Sequence, residues 1–347
     1  MRIGEVSPKL LNRWIDEQGC IDRVTRKWAW WLNEDGTRGL AACHGTRYLY
    51  RGQNRRYWSV APSISRGITT RALAIRDLQP DEQLRILMAL IRADWYCKIL
   101  KLHPVLTWAN QQRYDIDRMA LAQHYELPTG YVDLSESIEV ALFFACCRFR
   151  NGKWEPLSEG KGILYRLDWI ASQDQIGPRI KAIGLQPFPR PNAQWAWTIE
   201  LRLHEDFEEV PALEAVEFNH TRELGERLLE YFNGGERLML PDALCDWAHF
   251  VKTSPVLPRG SGVDVLNDIS QDRYGVSISN VEYHLERLSK FAKIKFTSDP
   301  PNPFDEDSLA SIATSWETLM PQFSEDMKNN TQVFLVRTPK ESHEKDA

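Results

Sequence analysis

The chain has 347 residues, of which 43% are hydrophobic and 26% charged, and its formal net charge is -5. These values are ordinary for a soluble globular protein and leave room for one large domain or two. A net negative charge gives no general support for nucleic-acid binding, and no run approaches the roughly 18 apolar residues of a membrane span.

Six cysteines are spread along the chain without a CxxC pair or a zinc-binding spacing: Cys20, Cys43, Cys97, Cys146, Cys147 and Cys245. Two of them lie in an apolar run, which is typical of reduced core thiols. The first residues, MRIGEVSPKLLNRW, lack the apolar segment of a signal peptide. We therefore expect a cytoplasmic protein with no metal site and no membrane contact.

The N-terminal 45 residues predict a lead-in packed on the core. Residues 8–18 have helical apolar spacing, and residues 28–32 predict a short strand. Tryptophans cluster here and again at Trp195 and Trp197, for which the sequence leaves two interpretations, aromatic packing or the wall of a ligand site.

An arginine-rich segment follows a short predicted strand at residues 48–50. Seven arginines and no acidic residue occur from Arg47 to Arg76. Such a segment predicts an anionic partner such as phosphate, although a solvated basic loop would give the same pattern. Arg51 follows the apolar strand and precedes Gly52, so we expect its guanidinium to point inward and to have a partner.

Two helices are predicted next, over residues 80–102 and 106–125. The first begins with proline and two acidic residues, which is typical of a helix start. The second brings Gln123 and His124 to the loop before Pro128. A histidine in this position can be structural or catalytic.

Residues 138–147 form an apolar decamer that, as a helix, must be covered on all sides. Ser135 or Ser137 can cap its start, where free N–H groups also favour an anion. Ordinary capping and an anion site therefore both remain open.

The later chain predicts short strands among helices. Strands are expected at residues 160–169 and 195–203, and helices within residues 221–233, 238–251 and 281–291. The fold class is therefore α+β, with a mixed or mainly antiparallel split sheet flanked by helices and a mostly helical C-terminal extension. We predict three parts: residues 1–45, 46–252 and 253–347. The last is Pro-rich and acidic beyond residue 299, which favours partial disorder at its end.

Four blocks in order resemble the FRG-domain family over about residues 46–252. They are Tyr50-Arg51-Gly52-Gln53 with residues 62–66, residues 121–129 (LAQHYELPT), residues 133–137 with 140–145, and Arg190 with Gln194 followed by residues 240–242. The chain departs from the family pattern at Glu126, Gly130, Leu134-Ser135 and Ala196, and most of these positions flank the expected site.

The order of these blocks is also similar to that of ADP-ribosyltransferases, whose fold and use of NAD the resemblance implies. On that mapping Arg51 holds phosphate, Ser135 and Ser137 position ribose, and Gln194 or Glu200 takes the place of the catalytic carboxylate. Because Gln194 is neutral, Asp133 and Glu136 are alternatives. The expected catalytic residues are Arg51, His124, Ser135, Ser137 and Gln194, and the expected NAD-binding residues are Arg51, Gln53, Arg66, Gln123, Thr129, Asp133 and Arg190.

The resemblance implies an ADP-ribosyltransferase or NAD glycohydrolase, either a bacterial toxin or an anti-phage effector, acting on a protein or nucleic-acid acceptor. Two other functions remain open: a non-catalytic nucleotide or phosphate sensor, and an RNA- or DNA-processing protein with the arginine segment as its footprint. The sequence contains no GxSxG, HExxH or phosphate-loop motif, so a standard hydrolase is disfavoured. The oligomeric state cannot be read from these patterns.

Overall fold

The protein is represented by a computed structural model that describes residues 13–14, 26–32, 38–44, 46–68, 74–240, 242–269, 280–302, 304 and 306–337. The strands are β1 Arg26–Leu32, β2 Arg38–His44, β3 Tyr48–Gln53, β4 Tyr131–Ser135, β5 Cys147–Arg150, β6 Lys153–Pro156, β7 Lys161–Asp168, β8 Ile180–Ala182, β9 Ala196–Glu200, β10 Leu213–Asn219, β11 Val256–Pro258, β12 Lys295–Thr297 and β13 Thr331–Arg337. The helices are α1 Pro80–Leu100, α2 Pro104–Gln111, α3 Arg118–His124, α4 Ile138–Cys146, α5 Gln173–Ile176, α6 Pro189–Ala193, α7 Arg222–Tyr231, α8 Ala243–Thr253, α9 Arg259–Asp268, α10 Val281–Ala292 and α11 Glu306–Asn330.

The central sheet has six strands in the order β10-β7-β3-β4-β9-β8. Every neighbouring pair in it is antiparallel. A second sheet joins β2 to β1 and β1 to β13, the last pair being parallel. The predicted α+β class, with a mainly antiparallel sheet, flanking helices and a helical C-terminal part, is therefore confirmed.

The central sheet opens between β3 and β4. These strands pair at a single position, Tyr50 with Ser135. On its other side β3 pairs with β7 over six consecutive positions, so β3 itself is a regular strand. The opening therefore lies only on the β4 side, beyond Tyr50 towards Gln53.

Helix α4 covers one face of the sheet at very short range. It packs with Tyr50, Leu164 and Phe232 in one apolar cluster. A Cβ atom added at Gly52 would lie 1.7 Å from the main-chain oxygen of Ala141 in α4. Only glycine fits at this position of β3, because the helix backbone occupies the space of a side chain.

The opposite face of the sheet has its own apolar cluster, which contains Leu49, Val132 and Tyr165. Side chains alternate along a strand, so Arg51 and Gln53 are on the same face as Leu49. The polar side chains of Arg51 and Gln53 therefore extend from β3 beside an apolar core.

The helical side of the molecule centres on α1. Its cluster combines Ile91 and Trp95 with Leu285 of α10 and with Trp316 and Met327 of α11. Apolar residues from the C-terminal part therefore share one core with α1, and the three-part division of the chain remains a prediction.

One prediction about the helices was wrong: residues 106–125 form two helices, α2 and α3, rather than one. Arg113 has a positive φ of 56° between them. The chain bends there because Tyr114 is buried, donates its hydroxyl to the Leu185 oxygen at 3.2 Å and accepts from Trp28 Nε1 at 3.2 Å. Tertiary contacts override the helical spacing at this point.

Helix α11 was not among the predicted helices, because the Pro-rich, acidic composition of this segment favoured disorder. Leu309, Ile312, Trp316 and Phe323 recur at spacings of three, four and seven residues and pack on the α1 core, although Pro321 lies inside the helix.

The disorder predicted for the C-terminal end concerns residues 338–347, which lie outside the described residues. Most of the helix predicted over residues 8–18 also lies outside them. Among the described helices, none combines the length and the apolar character needed to cross a bilayer.

We expect stability to fall on acidification because of His103. Its Nδ1 accepts a hydrogen bond from the Val105 N–H at 3.2 Å at the start of α2, and burial lowers its pKa from 6.5 to about 4. The unfolded chain therefore binds a proton first, and stability is lost as the pH falls from about 6.5 towards 4. Urea unfolding at pH 7 and pH 5 measures the loss, which His103→Asn should reduce. The exposed His249→Asn is the control, and an equal reduction in both variants would contradict the assignment.

Candidate functional site

The opening between β3 and β4 contains the guanidinium of Arg51. Its Nη1 donates to the main-chain oxygen of Asp133 at 2.7 Å. The side chain thus supplies a donor where β3 supplies no strand hydrogen bond. Its Nε is buried and has no hydrogen-bond partner among the described residues. A buried guanidinium N–H without a partner indicates a position for a ligand acceptor.

The carboxylate of Asp133 lies on the facing strand. Its Oδ2 accepts from Gln123 Nε2 at 2.9 Å, whereas its Oδ1 is buried and has no partner among the described residues. Burial raises the pKa of Asp133, and the Gln123 hydrogen bond and the positive charge of Arg51 oppose that rise. Burial likewise lowers the pKa of Arg51, and Asp133 opposes that change. Each group therefore keeps one unused polar atom in a desolvated place.

Gln123 is held at the end of α3 by two hydroxyls. Its Oε1 accepts from Ser63 Oγ at 2.6 Å and from Thr129 Oγ1 at 2.9 Å, and the Thr129 N–H donates to Ser63 Oγ at 2.9 Å. Gln123 and Thr129, both predicted to bind NAD, are thus placed beside Asp133, and their polar groups orient its carboxylate. Ser63 was not singled out from the sequence, although it lies in the Pro-Ser-Ile-Ser-Arg block between Arg51 and Arg66.

Gln53 and Arg66 complete the polar surroundings of the opening. Gln53 is two residues beyond Arg51 on β3, and its Oε1 is buried without a partner among the described residues. Arg66 is exposed at the end of the short 3-10 helix Ser63–Ser65. Its positive charge acts to lower the pKa of both Arg51 and Asp133, so Arg66 belongs to the electrostatic surroundings of the opening.

Ser135, Ser137 and Gln194 are engaged in hydrogen bonds within the fold. Ser135 Oγ donates to the main-chain oxygen of Gln194 at 2.8 Å and accepts from the Ser137 N–H at 3.0 Å. Ser137 Oγ accepts from the Val140 N–H at 3.2 Å and donates to Glu139 at 2.7 Å. The Gln194 amide donates to the Leu238 oxygen at 2.9 Å. The three residues lie together next to the opening, and their catalytic roles remain predictions.

His124 and Arg190 form a separate polar group at the end of α3. His124 Nε2 is buried without a partner among the described residues, and burial, with the charge of Arg190, lowers its pKa to about 3. Arg190 Nη1 donates to Cys245 Sγ at 3.2 Å, and its Nη2 lies 3.7 Å from Glu126. Arg190 acts on Asp133 through its charge. His124 is therefore neutral at physiological pH and is a hydrogen-bonding group, not a cation.

Two other candidates for the carboxylate role have different positions. Glu136 is buried and accepts from Trp197 Nε1 at 3.3 Å. Glu200 ends β9, opposite Tyr131 of β4. Asp133 is the candidate whose main-chain oxygen accepts from Arg51 and whose carboxylate keeps a buried oxygen without a partner among the described residues.

The unused atoms of the opening fit one kind of ligand. The Arg51 Nε–H suits a phosphate oxygen, and the Asp133 Oδ1 and Gln53 Oε1 accept from hydroxyl or amide groups. A phosphorylated ribose carries both kinds of group. In the described part of the chain no cluster of three or more His, Cys, Asp or Glu residues is suited to a metal ion.

We expect Ser137→Ala to lower the free energy of unfolding by about 1 kcal/mol, the usual effect of losing a helix cap. Ser137→Asn keeps a capping oxygen and should recover most of this stability, as measured by urea unfolding. If Ser137 acts only as a cap, ligand binding by the folded Ser137→Ala protein will equal that of wild type. A loss of stability in Ser137→Asn as large as in Ser137→Ala would contradict the capping role.

Comparison with known proteins gives one match. A family model described as the FRG domain matches residues 46–153. No curated protein and no solved structure matches the chain. The matched residues contain Arg51, Gln53, Ser63, Gln123 and Asp133, so the whole opening between β3 and β4 lies inside the matched segment.

Proposed function

Because residues 46–153 of this chain are an FRG domain, we propose that the opening in its sheet binds NAD and that the domain is an ADP-ribosyltransferase-like enzyme. The observation that carries the proposal is the set of three buried, unused polar atoms: Arg51 Nε, Gln53 Oε1 and Asp133 Oδ1. Leaving such atoms without partners costs stability, so a ligand that satisfies all three gains affinity from groups already in place.

Each of the three side chains has a role in this proposal. Arg51 binds the diphosphate, for which a guanidinium is well suited. Gln53 accepts from a ribose hydroxyl. Asp133 supplies the carboxylate near the reacting carbon, a role that the neutral Gln194 cannot take. NAD supplies a bond between ribose and nicotinamide whose cleavage develops positive charge on the sugar, and a fixed carboxylate stabilises such charge.

Asp133 must be ionised for this role, which gives the activity a pH dependence. Burial raises its pKa above the ordinary value of 3.8. Activity should therefore fall on acidification, and at a higher pH than for an exposed aspartate. Gln123, which donates to the carboxylate, keeps the ionised form available.

A second function is favoured by the hydrogen bonds of Ser135, Ser137 and Gln194. Their polar groups are used inside the fold, which suits a domain that binds a nucleotide without turning it over. Such a sensor would bind ADP-ribose or NAD in an Arg51-dependent way and release no nicotinamide.

For the enzyme, we propose that the biological role is that of a bacterial toxin or an anti-phage effector.

The test is nicotinamide release from NAD by the full chain, with and without cell lysate as acceptor. Wild type should release nicotinamide, and Asp133→Asn should reduce the rate at least about a hundredfold. Stimulation by lysate separates transfer from hydrolysis. Glu200→Gln is the matched carboxylate control and should keep the wild-type rate. No release by wild type in either setting would leave only the sensor function.

A further inference from the structure

The loop that follows β3, residues 54–59, presents two aromatic side chains to solvent. Trp58 is 104% exposed and Tyr57 is 40% exposed. Single exposed apolar residues are common on protein surfaces. Here, however, a fully exposed indole and a phenol are adjacent to each other and to Arg55 and Arg56. The combination of aromatic rings and arginines has a specific chemistry.

The loop is held in place by contacts at its end. The Val60 N–H donates to Asp206 Oδ1 at 3.1 Å, and the Val60 oxygen accepts from the Phe207 N–H at 3.1 Å. Arg56 pairs with Glu208 at 3.4 Å. Arg55 lies over the Tyr57 ring, 4.9 Å from its centroid. Trp58 is thus carried by an anchored loop and is itself left uncovered.

The charge around the loop is mixed: Arg56 contacts Glu208 and Glu217, and three other arginines lie nearby. Arg55, Arg66 and Arg85 are exposed, and none forms an ion pair with a carboxylate in the described residues. Arg85 Nη2 donates to the main-chain oxygen of Arg66 at 3.5 Å, which places these two arginines side by side. The loop directly follows β3, which carries Arg51, so this surface borders the Arg51 site.

We propose that residues 54–59 together with Arg66 bind single-stranded nucleic acid, with one base stacked on Trp58 and backbone phosphates on Arg55 and Arg66. Bases expose their faces for stacking in single strands and hide them in a duplex. Aromatic stacking accepts any base, whereas the arginines require the phosphate backbone.

The position of this surface gives the bound strand a role. Because this surface borders the Arg51 site, a strand bound there would be the acceptor of ADP-ribose. This role rests on the proposed function. Binding of the strand itself needs neither NAD nor turnover.

The experiment measures fluorescence anisotropy of fluorescein-labelled single-stranded RNA, single-stranded DNA and a duplex, each titrated with the full chain at low salt. Wild type should prefer the single strands. Trp58→Ala should weaken their binding about tenfold, and Trp58→Phe should retain most of it. Tyr231→Ala, which removes another exposed ring (54% exposed) on α7, is the control and should bind as wild type does. Removing Arg55 and Arg66 together should reduce the dependence on salt.

Several outcomes would overturn the proposal: no binding of single strands, a preference for the duplex, or equal affinity of wild type and Trp58→Ala. Transfer of ADP-ribose to lysate protein without binding of any oligonucleotide would also overturn it, because the acceptor would then be a protein. Oligonucleotide binding without nicotinamide release would support the nucleic-acid surface and contradict the proposed enzymatic activity. Nicotinamide release without oligonucleotide binding would support the enzymatic activity and contradict the nucleic-acid surface.

Discussion

Arg51→Ala should reduce nicotinamide release at least about a hundredfold, the effect expected from removing one charge-stabilising donor from a desolvated site. Arg51→Lys should also lose most of the activity, because an ammonium group cannot reproduce both the Nη1 bond to the Asp133 oxygen and the free Nε–H. The measurement is the initial rate with saturating NAD, on protein shown to be folded by thermal unfolding.

Arg47→Ala is the matched control for this experiment. Arg47 directly precedes β3 but pairs with Asp168 at 2.8 Å and is 60% exposed. A surface pair of this kind contributes at most about 1 kcal/mol of stability and should not affect the rate. Equal losses in the Arg47 and Arg51 variants would mean that general charge, and not the site, determines activity.

Gly52→Ala should lower the free energy of unfolding by at least about 3 kcal/mol, and the protein should be largely insoluble when expressed at 37 °C. The new methyl group would lie 1.7 Å from the main-chain oxygen of Ala141 and 3.0 Å from the Ala145 Cβ. A main-chain oxygen in a buried helix cannot move aside as a flexible side chain can. Helix α4 would have to shift away from β3, which would also displace Arg51.

Gly260→Ala tests whether that effect belongs to the site or to glycine replacement in general. Gly260 lies in α9, and a Cβ added there meets no atom within 4 Å. Its stability should be unchanged or higher by up to about 1 kcal/mol, since alanine favours helix. Urea unfolding of both variants gives the comparison. A Gly52→Ala protein as stable as wild type would contradict the close packing of α4 on β3.

Much of the fold was predictable because it depends on local patterns. The apolar stretch 138–147 indicated a fully covered helix, and α4 is that helix, with Ser137 as its cap. The alternating segments gave β7 and β9. Helix α11 was missed because its Pro-rich, acidic composition favoured disorder, although its apolar residues recur at helical spacings of three, four and seven.

The site was predictable in part for the same reason. The inward direction of Arg51 followed from its place between an apolar strand and Gly52. Its partner, the main-chain oxygen of Asp133, is available because β3 and β4 do not pair beyond Tyr50. No local sequence pattern indicates this loss of pairing. The hydrogen bonds that engage Ser135 and the Gln194 amide join residues 59 and 44 positions apart, so no local sequence pattern indicates them.

The exposed loop at residues 54–59 illustrates another limit of sequence reasoning. The arginines of this segment favoured an anionic partner, but a solvated basic loop fitted the sequence equally well. Arg47, Arg56 and Arg76 form ion pairs with carboxylates, as a solvated basic loop would. Arg55 and Arg66 are exposed and have no carboxylate partner among the described residues, so the anionic partner proposed here depends on these two arginines.

The most direct test of the Arg51–Asp133 site is equilibrium binding of ADP-ribose by isothermal titration calorimetry, because it requires no turnover and serves both the enzyme and the sensor. Wild type should bind one ADP-ribose per chain, and Arg51→Lys should bind at least about tenfold more weakly. Arg47→Ala should match wild type. Absence of binding to wild type, or equal binding by the folded Arg51→Lys protein, would contradict the assignment of this opening as a nucleotide site.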